Sequence, residues 1–298
     1  MLVVTAWGVL TRRGTSAEYQ HIKAGLDFAS SKDGARAEKE WLEAVRLNSD
    51  SLESWNYLSE FYSATHQWKS AVETLHQVAR LKPDSPHLYA HLATCNLQFG
   101  DERAAYRDAE EALKSDPNDA PTLTLFCGLL ARTAEPKRRI ELLRRLALLQ
   151  PKNLKAKMDL AEVLVAGSLY FDAKPFVEEI LHSDPSNAEA HSLHGVIVLN
   201  TDPSPNGIAT AQADLLLALK EPLFAPFAHY NLGKIYKQQG QPKQAIVHLK
   251  EAAASLPNKK EVFFELAETY EQLGQANDSA LARSRFEVLR KADLSHKP

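Results

Sequence analysis

Residues 226–259 read PFAHYNLGKIYKQQGQPKQAIVHLKEAAASLPNK, and the pattern of side-chain size in this stretch decides the fold. His229, Leu232, Gly233 and Tyr236 stand three, four and seven places apart, which is one face of a helix. After Gly240 a second run sets Ala245, Leu249 and Ala252 at the same helical spacings. It stops at Pro257, whose ring fixes φ and removes an N–H. The stretch is a helical hairpin.

Outward from this hairpin, Pro83, Pro117, Pro151 and Pro185 follow one another at intervals of 34 residues. Around them the same order returns: a large residue, a leucine, a small residue, an aromatic, an alanine, a bulky residue. This order resembles the tetratricopeptide repeat, with its large-x-x-Leu-Gly-x-x-Tyr, Ala-x-x-x-Phe and Pro positions. The resemblance implies an all-α fold, a right-handed α-solenoid of helical hairpins with a 34-residue period. It also implies a concave wall lined by the first helix of each repeat.

Eight units account for residues 18–293, between a tail at 1–17 and a short tail at 294–298. Repeat one (18–51) has Gly25, Phe28, Ala37, Trp41 and Ala44 in register, with Ser49 in place of the proline. Repeats two (52–85) and three (86–119) are strong copies. Repeat four (120–153) carries Arg139 at the usual alanine, and its second helix is expected to begin at Pro136. Repeat five (154–187) has Pro175 inside its second helix, which predicts a kink or a late start. Repeat six (188–225) is longer than the others, and the surplus is assigned to a hairpin loop over Thr201–Gly207. Repeat seven (226–259) is the copy quoted above, and repeat eight (260–293) ends in a charged helix that suits a terminal cap.

Composition narrows the function classes. An apolar share of 44% and a charged share of 24% are those of an ordinary folded chain. A net charge of −3 provides no general basic surface for nucleic acid. The apolar start, MLVVTAWGVL, is too short to span a bilayer, for which about 20 residues are needed. The expected location is cytoplasmic, with export or membrane association through residues 1–17 as the alternative. Cys95 and Cys127 have no disulfide or metal-motif spacing.

No catalytic motif is found, and neither a cofactor nor a metal is expected. His87, His91 and Cys95 are spaced i, i+4, i+8 on the first helix of repeat three, a face with three metal-ligating residues and no fourth. His191 and His194 fall at packing positions, and Cys127 at a small-residue position. Lys137, Arg138, Arg139, Arg144 and Arg145 read as a solvated ion-pair face, with Glu141 four residues before Arg145. The carboxylate clamp of some tetratricopeptide co-chaperones is missing, since its positions hold Ile22, Leu26, Tyr57, His87 and His91.

The resemblance implies a non-catalytic scaffold that binds a peptide or partner protein in the concave groove. The first-helix positions that face inward in this family are Asn56, Glu60, His87, His91, Phe227, Tyr230, Lys234, Lys237, Phe264, Glu268 and Glu271. Alternatives are an RNA-binding helical repeat, or an accessory subunit of an enzyme or of an envelope or secretion assembly. Leu215, Leu216 and Leu219 crowd one helix and suggest self-association.

Overall fold

The computed structural model describes residues 16–85, 87–133 and 135–295, and among them the chain forms sixteen α-helices and no strand. The expectations for residues 1–15 and 296–298 lie outside the described residues. The helices fall into two compact units, divided after Leu149. Unit 1 holds the hairpins α1 (Ser16–Ser30) with α2 (Gly34–Leu47), α3 (Leu52–Ala64) with α4 (Trp68–Leu81), α5 (Leu88–Phe99) with α6 (Glu102–Ser115), and α7 (Ala120–Leu130) with α8 (Pro136–Leu149). Unit 2 holds α9 (Leu154–Ala166) with α10 (Tyr170–Ser183), α11 (Ala188–Thr201) with α12 (Pro205–Ala218), α13 (Ala225–Gln238) with α14 (Pro242–Ser255), and α15 (Lys260–Gln272) with α16 (Ala276–Ser295).

Two further periodicities build these hairpins, and both come from backbone chemistry. Lys32, His66, Gly100, Ser168, Gly240 and Gly274 all adopt positive φ at the turn between a first and a second helix. Glycine does so without strain, and the other three tolerate the left-handed region at a modest cost. Four of the first helices, α3, α7, α9 and α11, are started by a capping side chain. Ser51, Asp119, Asn153 and Asn187 each accept a hydrogen bond from the backbone N–H three residues on, at 2.9–3.3 Å.

The core follows the size pattern. Gly25 lies under the indole of Trp41, so close that a Cβ there would stand 2.3 Å from Nε1. Trp41 stacks on Tyr57 at 5.6 Å and meets the edge of Phe61 at 5.9 Å. Leu58, Leu92, Leu123 and Leu160 are fully buried, and each contributes roughly 1.5–3 kcal/mol by leaving water. In unit 2, Gly195 receives Leu215 and Gly233 receives Leu249 in the same way.

Several sequence expectations are changed by the structure. α8 does begin at Pro136, but α10 runs unbroken from Tyr170 through Pro175, with no late start. The surplus of repeat six does not make a long loop. Ser204 caps Gly207 N–H at 3.0 Å and Pro205 supplies a ready-made φ, so α12 begins early. Its lead-in to Ala211, residues 205–210, is twice the lead-in of α14 to Ala245. The link 202–204 passes through Asp202 at φ −134° in place of a left-handed residue.

The basic run of repeat four is not uniformly solvated. Arg138 lies over the rings of Phe126 (4.9 Å) and Tyr106 (5.6 Å) and donates to Tyr106 Oη (2.7 Å) and Glu110 Oε1 (2.6 Å). Arg139 Nε is buried without a hydrogen-bond partner, because arginine stands where the repeat wants alanine. Arg145 does pair with Glu141, at 3.6 Å. The leucines of α12 also divide, since Leu215 is fully buried while Leu216 and Leu217 are 44% and 37% exposed. Leu215 is therefore core and has no surface to offer a second molecule, and Leu219 packs partly against the same cluster.

Candidate functional site

Within unit 2 the first helices α9, α11, α13 and α15 touch in series. Seven of the eleven sequence-predicted residues stand on two of these helices, α13 and α15.

The structure divides that set into side chains already committed within the fold and side chains still free for a ligand. Lys237 on α13 donates to Glu265 and, at 2.6 Å, to Glu268, both on α15. Glu271 pairs with Arg283 of α16 at 2.5 Å. These charges fasten neighbouring helices to one another. Phe227 and Phe264 remain 47% and 43% exposed, the second with one side against Phe286 at 5.5 Å. Tyr230 is half-buried, and its phenol is pushed up to about 12, first by burial and then by the nearby charges of Glu265 and Glu261.

Two lysines converge on these rings. Lys234 Nζ lies 5.6 Å from the centre of the Tyr230 ring. Lys259 Nζ lies 5.4 Å from the same centre and 5.8 Å from that of Phe227. Sequence reasoning missed Lys259, because it lies in the turn before α15. A signal was present: Lys259 is the N-cap of α15, where earlier repeats place Asp119, Asn153 and Asn187. Lysine has no acceptor and cannot cap.

Elsewhere in unit 2, Glu162 of α9 shares a hydrogen bond with Glu189 of α11. Burial foremost, then that bond and the Glu189 charge, push its carboxyl up to about 7. Lys155 pairs with Asp159 beside it, at 2.9 Å.

In unit 1 the predicted residues are not gathered in this way. His87 precedes α5 with φ 59°, so it is outside the helix and the i, i+4, i+8 spacing with His91 and Cys95 does not hold. His91 Nε2 lies 2.8 Å from Ser63 Oγ, and Cys95 Sγ lies 3.3 Å from the same oxygen. Burial holds the His91 pKa below its ordinary value. The His91 and Cys95 side chains tie α5 to α3. Asn56 and Glu60 sit on α3, half-buried and exposed respectively. His191 and His194 lie inside the α11–α12 hairpin, each with Nδ1 at 2.7 Å from an oxygen of the buried Asp214.

Comparison with known proteins agrees with this geometry. Residues 226–259 match the family model described as Tetratricopeptide repeat. Among solved structures the fold is similar to that of YrrB, a TPR protein with an unusual peptide-binding site. That match has 15% identity and a TM-score of 0.50, and covers 57% of this chain and 88% of YrrB. A tetratricopeptide repeat protein from Parabacteroides merdae matches at 16% identity and a TM-score of 0.50, over 86% of this chain and 99% of that one. No curated protein sequence matches. No helix among the described residues is long and apolar enough to cross a membrane.

Proposed function

We propose that this chain, a tetratricopeptide repeat protein, is a non-catalytic scaffold that binds an extended peptide or a partner protein along the first-helix side of unit 2. The observation that carries the reading is the pair Phe227 and Tyr230, both within reach of Lys259, with Phe227 and the Phe264 ring of the next first helix left about half in water. Aromatic rings of this kind supply most of the energy when a partner covers them. YrrB has a peptide-binding site on the same fold, which makes a peptide the first ligand class to test. The net charge of −3 favours protein over nucleic acid as the partner.

The test is capture of partners from the host and measurement of their affinity for Tyr230→Ala and Phe264→Ala, with Val247→Ala as control. Val247 is 61% exposed and lies on a second helix, α14. The first two variants are expected to lose about 1–3 kcal/mol of binding with little change in melting temperature. Unchanged affinity in both, or an equal loss in the control, would place the site elsewhere. Binding of single-stranded RNA that weakens steeply with salt would favour the nucleic-acid reading instead.

A further inference from the structure

The charges around the ring cluster do not cancel evenly. Lys237, Lys260 and Arg283 each have a carboxylate of the chain at ion-pair distance, namely Glu265 with Glu268, Asp293 and Glu271. Lys234 on α13 and Lys259 at the N-cap of α15 come from different elements to the same Tyr230 ring, and among the described residues neither has a carboxylate within ion-pair distance. Glu261 is close enough to act on the Tyr230 phenol, yet it pairs with neither lysine.

Lys259 is costly where it stands. It leaves α15 without a side-chain cap, and it adds a positive charge at the positive end of a helix. Exchanging a capping side chain for one that cannot cap costs about 0.5–2 kcal/mol, and the helix dipole adds to that cost. Departures of this kind from a local rule concentrate at functional positions. The Lys259 side chain caps no backbone N–H of α15, and the rings it covers are the half-exposed ones.

We infer that Lys234 and Lys259 receive the carboxylates of an acidic peptide segment, whose neighbouring aromatic or aliphatic side chain is laid on Phe227 and Tyr230. The inference rests on the scaffold reading and specifies its ligand: Asp or Glu beside one bulky apolar residue. The rings provide the apolar contact, and the two ammonium groups select the sign of charge and orient the segment.

The experiment is selection of a phage-displayed library of random peptides on the full chain, on Lys234→Glu with Lys259→Glu, and on Phe227→Ala with Tyr230→Ala. On the parent, Asp and Glu are expected to be enriched next to an aromatic or aliphatic residue. On the charge-reversed variant that enrichment disappears or turns to Lys and Arg. The best parental peptide, labelled and followed by fluorescence anisotropy, is expected to bind at least about tenfold more weakly to that variant, and more weakly as salt rises. If charge reversal lowers the melting temperature, Lys234→Gln with Lys259→Gln removes the same charges more gently and is expected to weaken binding in the same direction. Basic or neutral peptides selected equally by parent and charge variants, but lost with the two rings, would overturn the inference and leave the groove reading standing. No enrichment at all, or enrichment indifferent to all these substitutions, would overturn both.

Discussion

The hairpins α11–α12 and α13–α14 place histidines at matching positions and bind them to different partners. His191 and His229 each stand four residues before the glycine that receives a leucine, Gly195 and Gly233. Asp214 and His248 each stand immediately before that leucine, Leu215 and Leu249. In the first hairpin His191 Nδ1 meets Asp214 Oδ1 at 2.7 Å and its Nε2 meets the Pro185 carbonyl at 3.0 Å, while His194 takes the other carboxylate oxygen. In the second, His229 Nδ1 meets His248 Nδ1 at 2.9 Å, and Tyr236 stacks on His248 at 5.2 Å. One nitrogen of that pair must carry the hydrogen and the other must lack it. The pair therefore tolerates one added proton while keeping its bond, and not two. A single exchange of carboxylate for imidazole at one place in the repeat turns a site that gathers histidine N–H groups into one that resists their protonation.

Breaking the first arrangement should have the largest effect. Asp214→Ala leaves two ring N–H groups without their acceptor inside the hairpin, at roughly 1–3 kcal/mol for each unmet donor. Urea unfolding should therefore show a loss of about 2–4 kcal/mol. A loss below about 0.5 kcal/mol, the level of an ordinary surface substitution, would mean that the cluster does not hold the hairpin together.

The feature shared by the two hairpins can be tested at their glycines. A Cβ at Gly233 would stand 2.5 Å from Leu249 Cγ, and one at Gly195 would stand 2.8 Å from Leu215 Cγ. Alanine at either should cost about 1–3 kcal/mol, with Gly233 the more sensitive. Gly128 in α7 meets nothing within 4 Å, so Gly128→Ala should be neutral or stabilise by up to about 1 kcal/mol through helix propensity. Equal behaviour of all three in thermal melts would remove the packing explanation.

The smallest perturbation is the proton. Burial lowers the pKa of His229, and burial and then the His229 charge lower that of His248, while Glu251 acts weakly the other way on both. The unfolded chain then binds protons more readily than the folded one, so stability is complete above the ordinary value of 6.5. It falls as pH drops from there through the lowered values of the pair. Glu162, raised to about 7, contributes in the opposite sense, so the quantity to measure is the difference between parent and His248→Leu across pH 5–8, the range about the ordinary histidine pKa. That difference should change with pH in the stated direction. His248→Asp, which rebuilds the neighbouring hairpin's arrangement, should reverse it.

The fold could be read from the sequence because prolines, alanines and glycines recur in step with it, and each acts through local chemistry. The site was legible only in part. Phe227, Tyr230 and Lys234 lie on α13 and Phe264 on α15, the first helices the register assigns them to, but nothing in the spacing says that Lys237 is committed to Glu265 and Glu268, 28 and 31 residues away. Pairings between repeats depend on side-chain reach across a packed interface, which periodicity does not encode. The same holds for Arg138, read as a surface charge and found over Tyr106 and Phe126. His87 was misplaced because a left-handed residue before α5 shortens that helix. Among the described residues, Lys259 is one of three first-helix N-caps without a capping side chain, beside His87 and Phe224, and the one of them that carries a lysine.

The early start of α12 says something about how such a chain can change length. The extra residues are wound into helix ahead of Ala211, at the end of the hairpin away from its joins to the repeats before and after, and Ala211 and Leu215 still meet Gly195. Because four residues make little more than one turn, growth in that increment keeps the buried face in phase, whereas a gain of two would swing it to the opposite side. Insertions and deletions between Gly195 and Ala211 should therefore be tolerated in steps of about a turn, and the hairpin tip is the natural place to graft foreign sequence.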